Sequence, residues 1–90
     1  MPKKVTLVSN YYNTRVALYI NGNLRYEEHA RNAYSYVDGK RTLMTSNGTF
    51  DRAADLMTIL GVKYFWYEAN PSWLQKRQHF PKKLSEVKFG

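Results

Sequence analysis

No cysteine occurs among the 90 residues of the chain. That excludes disulfides, thiolate nucleophiles and cysteine-ligated zinc, and it suits a reducing compartment. No run of about 18 apolar residues occurs either, so the sequence offers nothing that would span a bilayer as a helix. The opening Met1-Pro2-Lys3-Lys4 leads into a strand-like segment and not into the apolar stretch and cleavage site of a signal peptide, so the expected location is the cytoplasm. Without such a signal, the acceptor-like Asn47-Gly48-Thr49 is a chance match.

Groups able to do chemistry are equally sparse. The five glycines are isolated and form no phosphate-cradling loop. Ser9, Ser35, Ser46, Ser72 and Ser85 lack the context of a nucleophile elbow. The two histidines, His29 and His79, are far apart in sequence. Glu27-Glu28-His29 would set Glu27 and His29 on one face of a strand, but two ligands do not make a metal site, and the triplet reads as a solvated strand end. The expectation is a protein that is not an enzyme and that carries no cofactor and no metal.

Acidic side chains are few. Fourteen lysines and arginines against seven aspartates and glutamates leave a net charge of +7. Residues 1–26 carry four cations and no anion, and residues 63–90 carry six cations and two anions. Positive charge at both ends attracts nucleic acid, nucleotide phosphates or an acidic protein face, although solubility alone would also explain it.

What the chain does have is rings: eight tyrosines, four phenylalanines and two tryptophans. A chain of this length supports one domain, residues 1–90, and buries only about 60–65 % of the surface its unfolded form exposes. Each aromatic side chain can bury roughly 150–250 Å², so a few rings should carry much of the stability.

The pattern along the chain predicts strands over Val5–Tyr12, Arg15–Ile20 and Leu24–Glu28, forming an antiparallel meander. Asn21-Gly22-Asn23 is the strongest turn signal. A two-residue turn sets Leu18 opposite Arg25. A three-residue loop sets Ile20 opposite Leu24 and Leu18 opposite Tyr26, which keeps one face apolar, and this register is the one expected. Residues 29–45 allow two readings. Ala30, Ala33, Tyr34 and Val37 fall at helical spacing, yet Tyr34–Val37 and Lys40–Thr45 flank Asp38-Gly39 as hairpin strands would, and the β-rich composition favours the hairpin.

Phe50, Ala53, Ala54, Met57 and Leu60 make an apolar stripe that predicts the main helix, stopped by Gly61. Val62–Glu68 follows as a strand. Asn70-Pro71 then opens a short helix, with Trp73 and Leu74 inward and Lys76, Arg77 and Gln78 in solvent. Leu84, Val87 and Phe89 should lay the tail back on the domain. The expected fold class is α+β: an antiparallel sheet with one main helix packed on a face and a short C-terminal helix.

Three segments carry a resemblance. Ala17-Leu18-Tyr19-Ile20-Asn21-Gly22-Asn23-Leu24, the turn Leu60-Gly61-Val62 and the closing Trp73-Leu74, Phe80-Pro81 and Leu84-Ser85-Glu86-Val87 together resemble small uncharacterised phage-encoded accessory proteins, over about half of the chain. The chain departs from that pattern in a longer, tyrosine-rich stretch over residues 29–49 and in a basic tail. The resemblance implies a viral accessory origin, in the cytoplasm of a host cell, and no particular activity.

Two surfaces are candidates for binding. Arg15, Tyr19, Arg25 and Tyr26 would form an exposed tyrosine–arginine face, suited to the acidic surface of a host protein or to a homodimer. An edge strand would also accept a partner strand. In the last third, Trp66 among its neighbouring rings, with Lys76, Arg77, Lys82 and Lys83, would offer stacking and phosphate contacts to nucleic acid or a nucleotide. Core packing is the competing explanation of those rings. The expected function is binding, and through it inhibition, of a host enzyme or defence protein, with nucleic-acid or nucleotide binding as the alternative.

Overall fold

A computed structural model provides the structure and describes residues 4–10, 15–29, 32–45, 61 and 63–90. Six strands form one sheet: β1 (Val5–Ser9), β2 (Arg15–Ile20), β3 (Asn23–His29), β4 (Asn32–Val37), β5 (Lys40–Thr45) and β6 (Tyr64–Glu68). Their spatial order is β5-β4-β3-β2-β1-β6, antiparallel at every junction except the last, where β6 runs parallel to β1.

This corrects the expected fold class. The described residues form a mixed six-stranded sheet with a single short helix, α1 (Pro71–Gln75), and a 3₁₀ turn at Leu84–Glu86. An antiparallel sheet with a main helix is not what they form. The segment expected to supply that helix, Phe50–Leu60, lies outside the described residues, as do Tyr11 and Tyr12 of the expected first strand. After β5 the chain rejoins the sheet at the opposite edge, where β6 lies beside β1 and parallel to it. Alternation in a sequence shows which residues share a face, but not which strand lies alongside.

Two hairpins turn on the same chemistry. Asn21 and Gly22 have φ of 53° and 81°, and Asp38 and Gly39 have 52° and 78°. Positive φ at both central residues is the requirement of a two-residue type I′ turn, whose twist matches that of the flanking strands. The Asp38-Gly39 hairpin decides between the two readings of residues 29–45. At Asn21-Gly22 the expected three-residue loop is corrected: Ile20 pairs with Asn23 and Tyr19 with Leu24. The register then shifts, leaving Arg25 as the extra residue of a β-bulge, and Leu18 faces Tyr26. The apolar pairing of Leu18 with Tyr26 is thus reached through a bulge.

β1 and β2 are buried on both faces. One face carries Val5, Leu7, Val16, Leu18, Tyr26 and Ala33. The other carries Val8, Ala17, Tyr19, Leu24 and Tyr36, and onto it the C-terminal segment lays Ala69, Leu74, Phe80 and Val87. Full burial of such a side chain contributes roughly 1.5–3 kcal/mol. Trp73 and Leu84 pack against this cluster half-buried, whereas Phe89 stays exposed and bridges to Ala69.

Polar contacts fix the segment at intervals. The Asn70 side chain caps α1 by accepting from Trp73 N–H at 3.0 Å. Tyr19 O–H donates to Pro81 O at 2.6 Å, Leu24 N–H to Lys82 O at 2.9 Å, and Leu84 N–H to Gly22 O at 2.9 Å. No helix among the described residues is long and apolar enough to cross a membrane.

Candidate functional site

The sheet ends on one side at β6, and every residue of β6 is exposed. Tyr64, Phe65, Trp66 and Tyr67 keep between 37 and 54 % of their surface accessible. Register with β1 assigns the rings to faces. Tyr64 and Trp66 align with Val5 and Leu7, and Phe65 and Tyr67 align with Thr6 and Val8. Rings therefore stand on both sides of one edge strand. Trp66 is steadied by donating from Nε1 to Ser9 Oγ at 2.7 Å, and Tyr67 lies 5.6 Å from Phe89, centroid to centroid.

The backbone of this edge has a definite direction. Ala69 N–H bonds inward to Ser9 O, while Glu68 O accepts from Gly90 N–H and Asn70 N–H donates to Lys88 O on the outer side. Peptide groups alternate along a strand, so Tyr64, like Glu68, turns its N–H and C=O outward. Cations flank the strand. Lys4 Nζ stands 5.6 Å from the centre of the Phe65 ring, and Lys63 and Lys88 are exposed at the two ends, with Glu68 the one carboxylate of β6.

Away from this edge, under the C-terminal segment and on the inner strands, lies a buried polar cluster. Glu27, in the middle of β3, has no exposed surface. Its carboxylate accepts from Tyr36 O–H, from Phe80 N–H at 3.2 Å and from His79 Nδ1 at 3.2 Å. His79 meets Tyr34 edge to face at 5.1 Å. Arg15 is also buried. Its Nη1 donates to Leu74 O at 2.8 Å and its guanidinium lies 5.4 Å from the Phe80 ring, but Nε and Nη2 have no hydrogen-bond partner.

Titration follows burial in this cluster. Desolvation lowers the Arg15 pKa, opposed by the nearby Glu27 charge. Burial, then the Glu27 charge, pushes the Tyr19 phenol well above its ordinary range, and burial, then the bond to Glu27, does the same to Tyr36. His29 is lowered by burial and then by Arg15, which it faces across the β2–β3 ladder.

These positions correct the expected tyrosine–arginine face. Arg15, Tyr19 and Tyr26 are buried, and only Arg25 is exposed. Tyr19 and Tyr26 stand on opposite faces of the sheet, each within a core cluster. The reason is that β2 and β3 are interior strands covered on both sides, so a ring there packs inward. The solvated strand end is likewise corrected: Glu27 and Glu28 are both fully buried, and Tyr26 O–H donates to Glu28 at 2.6 Å.

The other expected residues are exposed. Trp66 is on the edge strand. Lys76, Arg77 and Lys82 line an open cleft of about 520 Å³ that includes His79 and Glu86. Lys82 and Lys83 line a smaller one of about 270 Å³ with Arg25 and Asp38. Sequence reasoning missed Glu27, Tyr36 and His79 as a unit. The one available signal was a carboxylate pair inside a strand, and His79 lies 52 residues from Glu27. Among the described residues no group of three His, Cys, Asp or Glu side chains is placed to hold a metal. Comparison with protein-family models, with curated proteins and with solved structures finds no match to this chain.

Proposed function

We propose that this chain is a non-enzymatic binding protein that takes an acidic, extended segment of a partner protein along β6. The observation that carries the reading is the placement of rings on both faces of a terminal strand. A strand added to that edge alternates its own side chains above and below the sheet, so it meets both rows. A single nucleic-acid strand stacks on rings presented to one side, and it would leave the other row unused. Lys4, Lys63 and Lys88 make an acidic segment the complementary choice, steering encounter and fixing register. The resemblance to phage-encoded accessory proteins makes a host protein the partner to look for, with inhibition following from occupation of its surface.

The test is a selection of acidic, alternating peptides against the purified protein, followed by amide mapping in solution. The expected binder shifts β6 amides. It should lose about tenfold or more in affinity for Phe65→Glu, which puts like charge on the edge, and for Tyr64→Pro, which removes an outward N–H. Peptide shifts confined to the C-terminal clefts would overturn the reading, as would a dimer formed through β6. So would displacement of the peptide by an unrelated oligonucleotide with the steep salt dependence of phosphate contacts.

A further inference from the structure

We infer a second site, distinct from the β6 edge, for a phosphate monoester or pyrophosphate group in the cleft around His79. Its floor is built before any ligand arrives. Arg77 N–H is bonded to Leu74 O at 2.9 Å, Phe80 N–H to Glu27 at 3.2 Å, Pro81 O to Tyr19 O–H at 2.6 Å, and Lys82 O to Leu24 N–H at 2.9 Å. The first closes the end of α1, and the other three, within three residues, tie Phe80, Pro81 and Lys82 to β2 and β3, so the side chains of this stretch extend from a fixed frame. Low reorganisation of the frame is what lets exposed groups bind a small ligand.

The imidazole is oriented too. Nδ1 faces the buried Glu27 carboxylate at 3.2 Å and the ring packs against Tyr34, which leaves Nε2 for a ligand in the cleft. A carboxylate holding one nitrogen of a half-exposed histidine is the arrangement by which proteins set the tautomer and direction of the other. A histidine that served only to fasten the segment would not need to line an open cleft.

Charge selects the ligand. Lys76, Arg77 and Lys82 line the cleft with Glu86, while the Glu27 carboxylate lies buried beneath His79, and none of the three cations forms an ion pair with a described carboxylate. Arg77 is steadied over the Trp73 ring at 5.1 Å. Three cations and one imidazole suit a doubly charged, multi-oxygen anion better than a lone carboxylate. The cleft is wide open to solvent, so a phosphate group reaches its lining side chains directly.

The probes are inorganic pyrophosphate and an oligothymidylate lacking a terminal phosphate, titrated calorimetrically and by NMR of the His79 ring. Pyrophosphate should bind saturably and move the His79 ring signals. Affinity should fall about tenfold for Lys82→Ala, which removes one charge-assisted contact from an exposed position. His79→Asn keeps a donor toward Glu27 while deleting Nε2, and it should weaken binding similarly with the fold intact by circular dichroism. No saturable pyrophosphate binding would overturn the site. Binding unchanged in both variants, or binding of the oligothymidylate alone, would do so as well. None of these results bears on a peptide bound at β6, which is separated by mapping.

Discussion

Replacing Glu27 by glutamine should destabilise the protein by roughly 3 kcal/mol. The carboxylate has no exposed surface and accepts from Tyr36 O–H, His79 Nδ1 and Phe80 N–H. Hydrogen bonds to a charged acceptor contribute about 1.5–3 kcal/mol and neutral ones about 0.5–1.5, so three conversions cost roughly 1 kcal/mol each. The amide also brings donors of its own. With its oxygen toward Phe80 N–H, its NH₂ meets the Tyr36 and His79 donors; flipped, it meets Phe80 N–H. Relief of the carboxylate's desolvation works the other way, but Arg15 then stays buried with Nε and Nη2 unpartnered and without the neighbouring negative charge. The assay is urea unfolding followed by tryptophan fluorescence, with amide exchange at Phe80. For a domain of this size the loss corresponds to a melting point lower by roughly 10–20 °C. A change below about 0.5 kcal/mol with Phe80 still protected would refute the view that Glu27 clamps the C-terminal segment to the sheet.

Three further outcomes follow from the same geometry. Tyr19 and Tyr36 have phenol pKa values raised above the unfolded 10.0, so the stability they confer is complete below that value and is lost as pH rises toward the folded values. Absorbance titration at alkaline pH should therefore show at least two tyrosines ionising late, together with unfolding; a titration in which every tyrosine behaves as an ordinary phenol would contradict it. His29 is depressed below 6.5, so its contribution is present above that pH and disappears as pH falls through the folded value. Its ring protons should titrate below 6.5 by NMR, and a midpoint above it would remove the stated influence of burial and Arg15. Gly39→Ala meets no neighbouring atom but must adopt φ of +78°, and should cost about 1 kcal/mol in thermal unfolding through backbone strain alone.

How legible these features are in sequence depends on the distance over which each is decided. The type I′ turns are written in Asn21-Gly22 and Asp38-Gly39, because tolerance of positive φ belongs to the residues themselves. The cap at Asn70-Pro71 is local in the same way. The bulge at Arg25 is not, since two devices deliver the same apolar pairing of Leu18 with Tyr26, and hydrophobic alternation cannot choose between them. The place of β6 is decided by β1, nearly sixty positions earlier, through a parallel junction that no alternation pattern encodes. Glu27 was misread for a related reason. A carboxylate in a strand suggests solvent unless its donors are visible, and those donors come from β4 and from the Phe80 region.

The tyrosine-rich composition, read as a surplus of rings, divides according to position in the sheet. Tyr19 and Tyr64 have the same side chain, yet one is fully buried on an interior strand and the other exposed on a terminal one. Exposed rings on an edge strand are a hazard, because such an edge pairs readily with another copy of itself. Charge answers that hazard. Two copies meeting at β6 would bring Lys4, Lys63 and Lys88 of each together, in molecules already carrying +7 apiece. At physiological salt the screening length is about 8 Å, so cations bordering the contact would still repel. Acidic strands meet no such barrier, and the same lysines that oppose self-pairing favour them. Neutralising the three lysines together should therefore do two things at once: weaken an acidic peptide and promote self-association at β6. A variant that lost peptide binding yet stayed monomeric up to millimolar concentration would show that charge does not guard this edge.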